Sequence, residues 1–321
     1  MEILELILLS SFFNFSFYVC IHIYDMKGVF DLKEQLQAHL MKRVKQCVTN
    51  SRHSTCEKIE RKKESLSKRK GEIVKARATG KINHQSEELE YSKVFYQVHF
   101  QYVINHKGQI YLEEEVEERF AEFFKGILIE DHEVAIAQTN VREAFTIAEL
   151  TNGDERAYFR YDRLKAVRYA ERWWNEFNPV FKSFEVNCTN YISQCLHAGE
   201  APMTGYPNRS KGWWMQNKSW SYSWTVAHAF RWYLPNAKSG LRAKEVKDPK
   251  ELERGDVICY DFQGDGRFDH TTIVTAKDKD GMPLVNANTA NSRMRYWAYE
   301  DSTAYTPNIQ YKFLHIMDDH S

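Results

Sequence analysis

Leu32, Leu36, Leu40 and Val44 recur at every fourth position of a charged stretch, the apolar stripe of an amphipathic helix. That stretch runs from residue 30 to about 90 without a proline and reads as helix-forming throughout. Within it, residues 57–81 are strongly basic, with Arg61-Lys62-Lys63 and Lys68-Arg69-Lys70. No aromatic is interleaved, so this segment predicts a solvated helical hairpin or linker rather than a polyanion-binding surface. Over residues 94–103 the period drops to two. Tyr96, Val98, Phe100 and Tyr102 alternate with Gln97, His99 and Gln101, which predicts a half-buried strand. Asn105-His106-Lys107-Gly108 predicts a turn and residues 109–112 a returning strand. Residues 113–127, acidic at the start and apolar at Phe120, Phe123 and Phe124, predict a helix, and residues 134–137 a short strand. Thr151-Asn152-Gly153-Asp154 predicts a loop.

From Tyr161 onward the texture is continuous. Asp162 is placed to cap a helix bearing Leu164, Val167, Ala170 and Trp174, closed by Asn178-Pro179. A second helix carries Cys188 in its first turn. An aromatic loop over 203–224, a helix over 225–233, and strands over 256–262, 270–275, 284–288 and 310–315 follow. Helices first and antiparallel strands afterwards predict an α+β fold. The chain thus divides into an apolar segment (1–25), a charged helical region (26–90), a small α+β accessory region (91–154) and a fourth, larger unit (155–321).

Composition narrows the function. The 321 residues carry 44 Lys and Arg against 44 Asp and Glu, so zero net charge offers nucleic acid no electrostatic footprint. Hydrophobic residues at 43% support a packed core rather than a disordered chain. The cysteines at 20, 47, 56, 188, 195 and 259 fit neither a disulfide framework nor a zinc site. Asp261, Asp265 and Asp269, spaced by four without a terminal glutamate, do not match a calcium loop. No metal and no cofactor are therefore expected. Residues 3–24 are apolar over a bilayer-spanning length, yet Glu2 and Glu5 stand where an export signal wants positive charge and no cleavage site follows. A docking helix, or a start at Met26, competes with a membrane or export segment. The compartment, cytoplasmic or membrane-associated and exported, depends on that segment. His99, His106 and His132 are scattered and expected to be structural.

Chemistry concentrates at Cys188. A cysteine at a helix start meets unpaired N–H donors and the positive end of the helix dipole, which favour a thiolate. Cys195, a heptad deeper beside Leu196, reads as a small core hydrophobe. The base is best assigned to His270, which follows a turn-rich loop and opens an apolar strand. His228 competes, whereas His197, nine residues along the same helix, is out of reach. Asp269 projects to the opposite face of the strand from His270, so the orienting group falls to Asn286 or Asn288, two apart on the next strand. The Cys188 backbone N–H would supply one oxyanion donor. Trp213, Trp214 and Trp224, in the aromatic loop with Tyr206, Trp220 and Tyr222, are candidates to line a substrate groove. About half of these rings are expected to pack over the helices instead.

Tyr161-Asp162-Arg163, Trp173-Trp174, Asn178-Pro179, Cys188-Thr189-Asn190-Tyr191-Ile192-Ser193-Gln194-Cys195-Leu196, Gly212-Trp213-Trp214, Ser223-Trp224-Thr225, Gly255-Asp256 and Asp269-His270 together resemble the putative amidase domain of Gram-positive bacteria. The likeness covers residues 158–319. It implies a papain-like fold related to the NlpC/P60 and CHAP cell-wall hydrolases, helices packed on a small antiparallel sheet. It also implies Cys188 as nucleophile, His270 as base and Asn288 as third polar residue. Asn187 stands where that family usually has an aspartate, and Asn288 where it often has a histidine. The expected activity is cysteine-dependent hydrolysis of an amide, in peptidoglycan or a related peptide. A non-catalytic wall- or peptide-binding module and an amine acyltransferase are the rival expectations.

Overall fold

The computed structural model describes residues 17–22, 30–49, 56–134 and 158–320. The apolar stripe forms α1 (Phe30–Val48), with Leu32, Leu36, Leu40 and Val44 all buried. A shorter helix, α2 (Glu57–Lys68), follows. Both lie against a long antiparallel meander of β2 (Gly71–Glu88), β3 (Tyr91–His106), β4 (Gln109–Phe124) and β5 (Ile127–Glu133). The alternation expected in β3 holds: every second residue from Val94 to Ile104 is buried under the helices. Lys107 and Gly108 both take positive φ, 52° and 86°, the backbone twist a two-residue hairpin turn requires. Within the apolar N-terminal stretch, Phe17–His22 forms β1, which pairs in parallel with β2. The remainder of that stretch, and residues 135–137 of an expected strand, lie outside the described residues. Among the described residues no helix is long and apolar enough to cross a membrane.

Two expected helical segments are strands. Residues 71–88 of the expected helical region form β2, and residues 113–124 continue β4. The reason in β4 is chemical. Glu113, Glu115 and Glu117 alternate toward the helices, where they meet buried cations instead of apolar side chains. Arg43 pairs with Glu117 at 3.0 Å, Lys58 with Glu117 at 2.7 Å and Glu115 at 3.4 Å, and Lys62 with Glu113. A period-two strand whose inward face is acidic carries no hydrophobic signature, so the apolar phenylalanines at its end suggest a helix instead.

The second half opens with α3 (Arg163–Trp173), capped by Asp162, whose carboxylate accepts from the Lys165 N–H at 3.0 Å. Ala166, Ala170 and Trp174 form its buried face, while Leu164 points to solvent. Then come α4 (Cys188–Ala198), a two-residue hairpin of β6 (Met215–Gln216) and β7 (Ser219–Trp220), α5 (Tyr222–Thr225) and α6 (Ala227–Asn236). The strands are β8 (Arg242–Val246), β9 (Val257–Asp261), β10 (His270–Lys277), β11 (Pro283–Ala287), β12 (Ser292–Tyr296) and β13 (Gln310–Met317). All pair antiparallel, in the order β12-β11-β10-β9-β13-β8. The fold is α+β, as expected.

The two halves share one sheet. β12 pairs antiparallel with β4, Ser292 opposite Glu115 and Arg293 opposite Glu114, giving eleven strands among the described residues. One face of the second half carries α3 and α4 over Val257, Cys259, Ile273 and Leu314. The opposite face holds an aromatic cluster of Tyr260, Phe262, Tyr299 and Phe313.

Candidate active site

Asn187 fastens the start of α4 to the end of β11. Its Nδ2 donates to Asn288 Oδ1 at 2.9 Å, and its backbone N–H donates to Thr289 Oγ1 at 2.6 Å. Its Oδ1 accepts from the Phe184 N–H at 3.1 Å and from Asn190 Nδ2 at 2.8 Å. The polar run beside the cysteine therefore anchors the helix terminus. Asn190 and Ser193 continue this role by accepting from the indole N–H groups of Trp224 (2.8 Å) and Trp213 (2.9 Å).

Cys188 follows as the first helical residue, only 2% exposed. Its Sγ lies 3.8 Å from Thr189 Oγ1 and 3.8 Å from the carbonyl oxygen of Asp269, the residue preceding His270. Burial raises the thiol pKa, partly offset by hydrogen bonds from Thr189 and Thr271. Burial thus disfavours the thiolate that open N–H groups at a helix start are expected to favour.

His270 opens β10 opposite Tyr260 and is 8% exposed. Its Nε2 meets the Tyr299 hydroxyl at 3.4 Å, and the rings of Tyr260, Phe262 and Tyr299 surround it. Burial, assisted by the Arg295 charge, pushes its pKa down to about 3, so the imidazole is neutral. Strand alternation explains its placement. Thr271 reaches Thr189 on α4 at 3.2 Å, whereas Thr272 on the opposite face approaches the Tyr260 hydroxyl through their oxygens, 3.1 Å apart. Cys188 thus abuts the backbone next to His270, while the imidazole turns toward the aromatic cluster. The thiol and the imidazole are not hydrogen-bonded to each other.

The other candidate residues are occupied. Asn288 Nδ2 points at the carbonyls ending α3, those of Trp173 (3.4 Å), Trp174 (3.2 Å) and Glu176 (3.4 Å), and its Oδ1 accepts from Asn187. It caps a helix and has no bond to His270. Asn286 lies on the same strand face and donates to Glu171 at 2.9 Å. Trp213, Trp214 and Trp224 have no exposed surface, so all three pack the core rather than line a groove. His228 accepts from the Phe268 N–H through Nδ1 at 3.3 Å, and His197 contacts the Ala201 carbonyl at 3.2 Å.

Asp269 is half-buried, with one carboxylate oxygen lacking a partner, and burial together with Asp261 and Asp265 raises its pKa to about 6. In the loop before it, Asp261 accepts from the N–H groups of Gly264 (2.7 Å) and Gly266 (2.8 Å), which makes a carboxylate-stapled turn. Among the described residues, no group of three or more His, Cys, Asp or Glu side chains is placed to hold a metal ion. A surface cleft lined by Arg163, Leu164, Val167, Glu253, Arg254, Ala276 and Lys277 shares no residue with the Cys188 site. Sequence reasoning did not single out Tyr299 and Ser292. Both sit far along the chain from Cys188, and nothing in their local pattern marks them.

The family model of the putative amidase domain matches residues 160–314. The uncharacterized protein YhbB of Bacillus subtilis strain 168 is 55% identical over 268 residues, 81% of this chain and 86% of that protein. The uncharacterized protein YjcM of the same organism is 34% identical over 126 residues, 36% of this chain and 28% of its own length. No solved structure matches the chain. The matched residues run from Arg160, before α3, through Cys188 and His270 to Leu314 in β13, and the chain belongs to the putative amidase domain family.

Proposed function

We propose that the protein is a cysteine-dependent amidohydrolase of papain-like type, with Cys188 as nucleophile and His270 as base. The observation that carries this reading is the Cys188 sulfur at the start of α4, 3.8 Å from the carbonyl of the residue preceding His270. In the reaction, Sγ bonds to the amide carbonyl carbon while its proton passes to the imidazole. The imidazole then protonates the departing amine as the C–N bond breaks, leaving a thioester. Water attacks the thioester, giving its proton to the imidazole and releasing the acid, and the thiol is restored. Because both groups rest neutral and buried, the thiolate arises during attack, after substrate or a local movement opens the site. The Cys188 N–H at the helix terminus suits the developing oxyanion. The substrate we favour is a peptide amide of peptidoglycan or a related peptide, on the family resemblance.

The burial of Cys188 is also what a non-catalytic binding module on the same fold would display. Hydrolysis of purified muropeptides and amide reporters separates the two. Cys188→Ala should lower the rate by at least about a thousandfold, and substrate should protect the wild-type thiol from alkylation by iodoacetamide. Undiminished hydrolysis by the variant would end the proposal. Absence of hydrolysis by the wild type, with retained ligand binding, favours the binding module. Amide products formed with an added amine would mark an acyltransferase instead.

A further inference from the structure

A Cys–His site needs a group that holds the imidazole and decides which ring nitrogen carries the proton. Asn288 is spent on the end of α3 and on Asn187, so the position is open. We propose that Tyr299 is the positioning residue of His270, acting through a chain of hydrogen bonds from imidazole Nε2–H to the Tyr299 oxygen and from the Tyr299 O–H to Ser292 Oγ. The inference rests on the thiol-hydrolase reading for its catalytic meaning, though not for its geometry.

Four observations carry it. The phenol oxygen lies 3.4 Å from His270 Nε2 and 3.1 Å from Ser292 Oγ, so one hydroxyl can accept from the first and donate to the second. The ring is 2% exposed and packs against both Tyr260 and the imidazole, with centroids 5.0 and 5.5 Å away. The Arg295 guanidinium sits 4.2 Å from the ring centroid. Finally, Tyr299 has φ of +57°, a conformation costly for an aromatic residue, and one that persists where surrounding structure dictates it. That structure is at hand. The Tyr299 carbonyl accepts from the Ser302 N–H at 2.9 Å, and Asp301 is held by Arg295 at 2.9 Å and by Lys62 of α2 at 2.6 Å.

The consequence is a defined tautomer. With Nε2 protonated and donating to Tyr299, Nδ1 is the bare ring nitrogen, the one with basic capacity. The polar, titratable and charged groups around this imidazole are Tyr260 from β9, Arg295 and Ser292 from β12, Tyr299 itself, and Cys188 and Asp269 beyond the strand backbone.

Two measurements test it. Two-bond proton–nitrogen spectra of ¹⁵N-labelled full-length protein report the His270 tautomer without reference to activity. The wild type should show the Nε2–H form, and Tyr299→Phe, which keeps the ring and its packing, should shift the population toward Nδ1–H. In the hydrolysis assay Tyr299→Phe should lower kcat about tenfold, the size of one lost hydrogen bond, with KM unchanged and the acid limb of the pH profile displaced. Ser292→Ala should move both readouts in the same direction by less. A Nδ1–H tautomer in the wild type, or a Tyr299→Phe variant with unaltered tautomer and pH profile, would overturn the assignment. If Cys188→Ala retains hydrolysis, the thiol-hydrolase reading falls, and the spectra still decide whether Tyr299 positions His270.

Discussion

At the scale of single residues, desolvation sets the state of the site. Cys188, His270 and Asp269 all have their charged forms disfavoured by burial. For Asp269 the sign is testable. Its folded pKa, about 6, lies above the ordinary 3.8, so the fold binds a proton more readily than the unfolded chain does between those values. Stability is therefore lost as pH rises through that window, and the ionised carboxylate weakens the fold at neutral pH. Asp269→Asn should raise Tm at pH 7 and leave it nearly unchanged at pH 3.5; an equal shift at both would refute the assignment. The places of Cys188 at a helix start and of His270 at a strand start were legible in the sequence because both are local signals. Their surroundings were not. Asn288 read, with Asn286, as the group orienting the imidazole, and its role at the end of α3 emerges only from the packing of β11 against that helix. The indoles of Trp213 and Trp224 looked available until they were seen bound to Ser193 and Asn190.

At the scale of elements, β4 is the instructive case. Its buried face is acidic, and each glutamate depends on a cation carried by another element. Lys62 from α2 joins Glu113 of β4 to Asp301 of the loop after β12. Lys62→Met removes the shared cation and leaves two buried carboxylates short of a partner, which should cost about 3–5 kcal/mol in urea unfolding. Adding Glu113→Leu should recover part of that loss, since a buried apolar residue carries no desolvation penalty. A double variant as unstable as the sum of the singles would show that the pair is not coupled. The same dependence explains why residues 113–124 read as helix. A strand is legible when its inward side chains are apolar, and here the inward side chains are glutamates satisfied from α1 and α2.

At the scale of the whole molecule, the family match begins at residue 160, but the physical unit does not. β12 borders β4, and Lys62 of α2 reaches the loop that carries Tyr299 and Asp301. A fragment of residues 158–321 would expose the β12 edge to pairing with other chains and strip Asp301 of Lys62. It should aggregate or lose its near-ultraviolet circular dichroism, whereas the full chain should unfold in one transition. Two separate transitions, with a well-folded fragment, would contradict this.

The sequence by itself determined the periodic and capped elements: the α1 stripe, the alternation of β3, the hairpin turn at Lys107-Gly108, the Asp162 cap, and the cysteine and histidine at element starts. Each of these depends on neighbours within a turn or a pleat, so a short window contains its cause. Only the tertiary structure decided that an acidic run is a strand, that the sheet crosses from one half to the other, that Asn288 caps a helix, and that Tyr299 meets His270. Those outcomes depend on register and on partners far along the chain, and on whether a polar side chain finds its counter-charge or its hydrogen bond once water has been excluded.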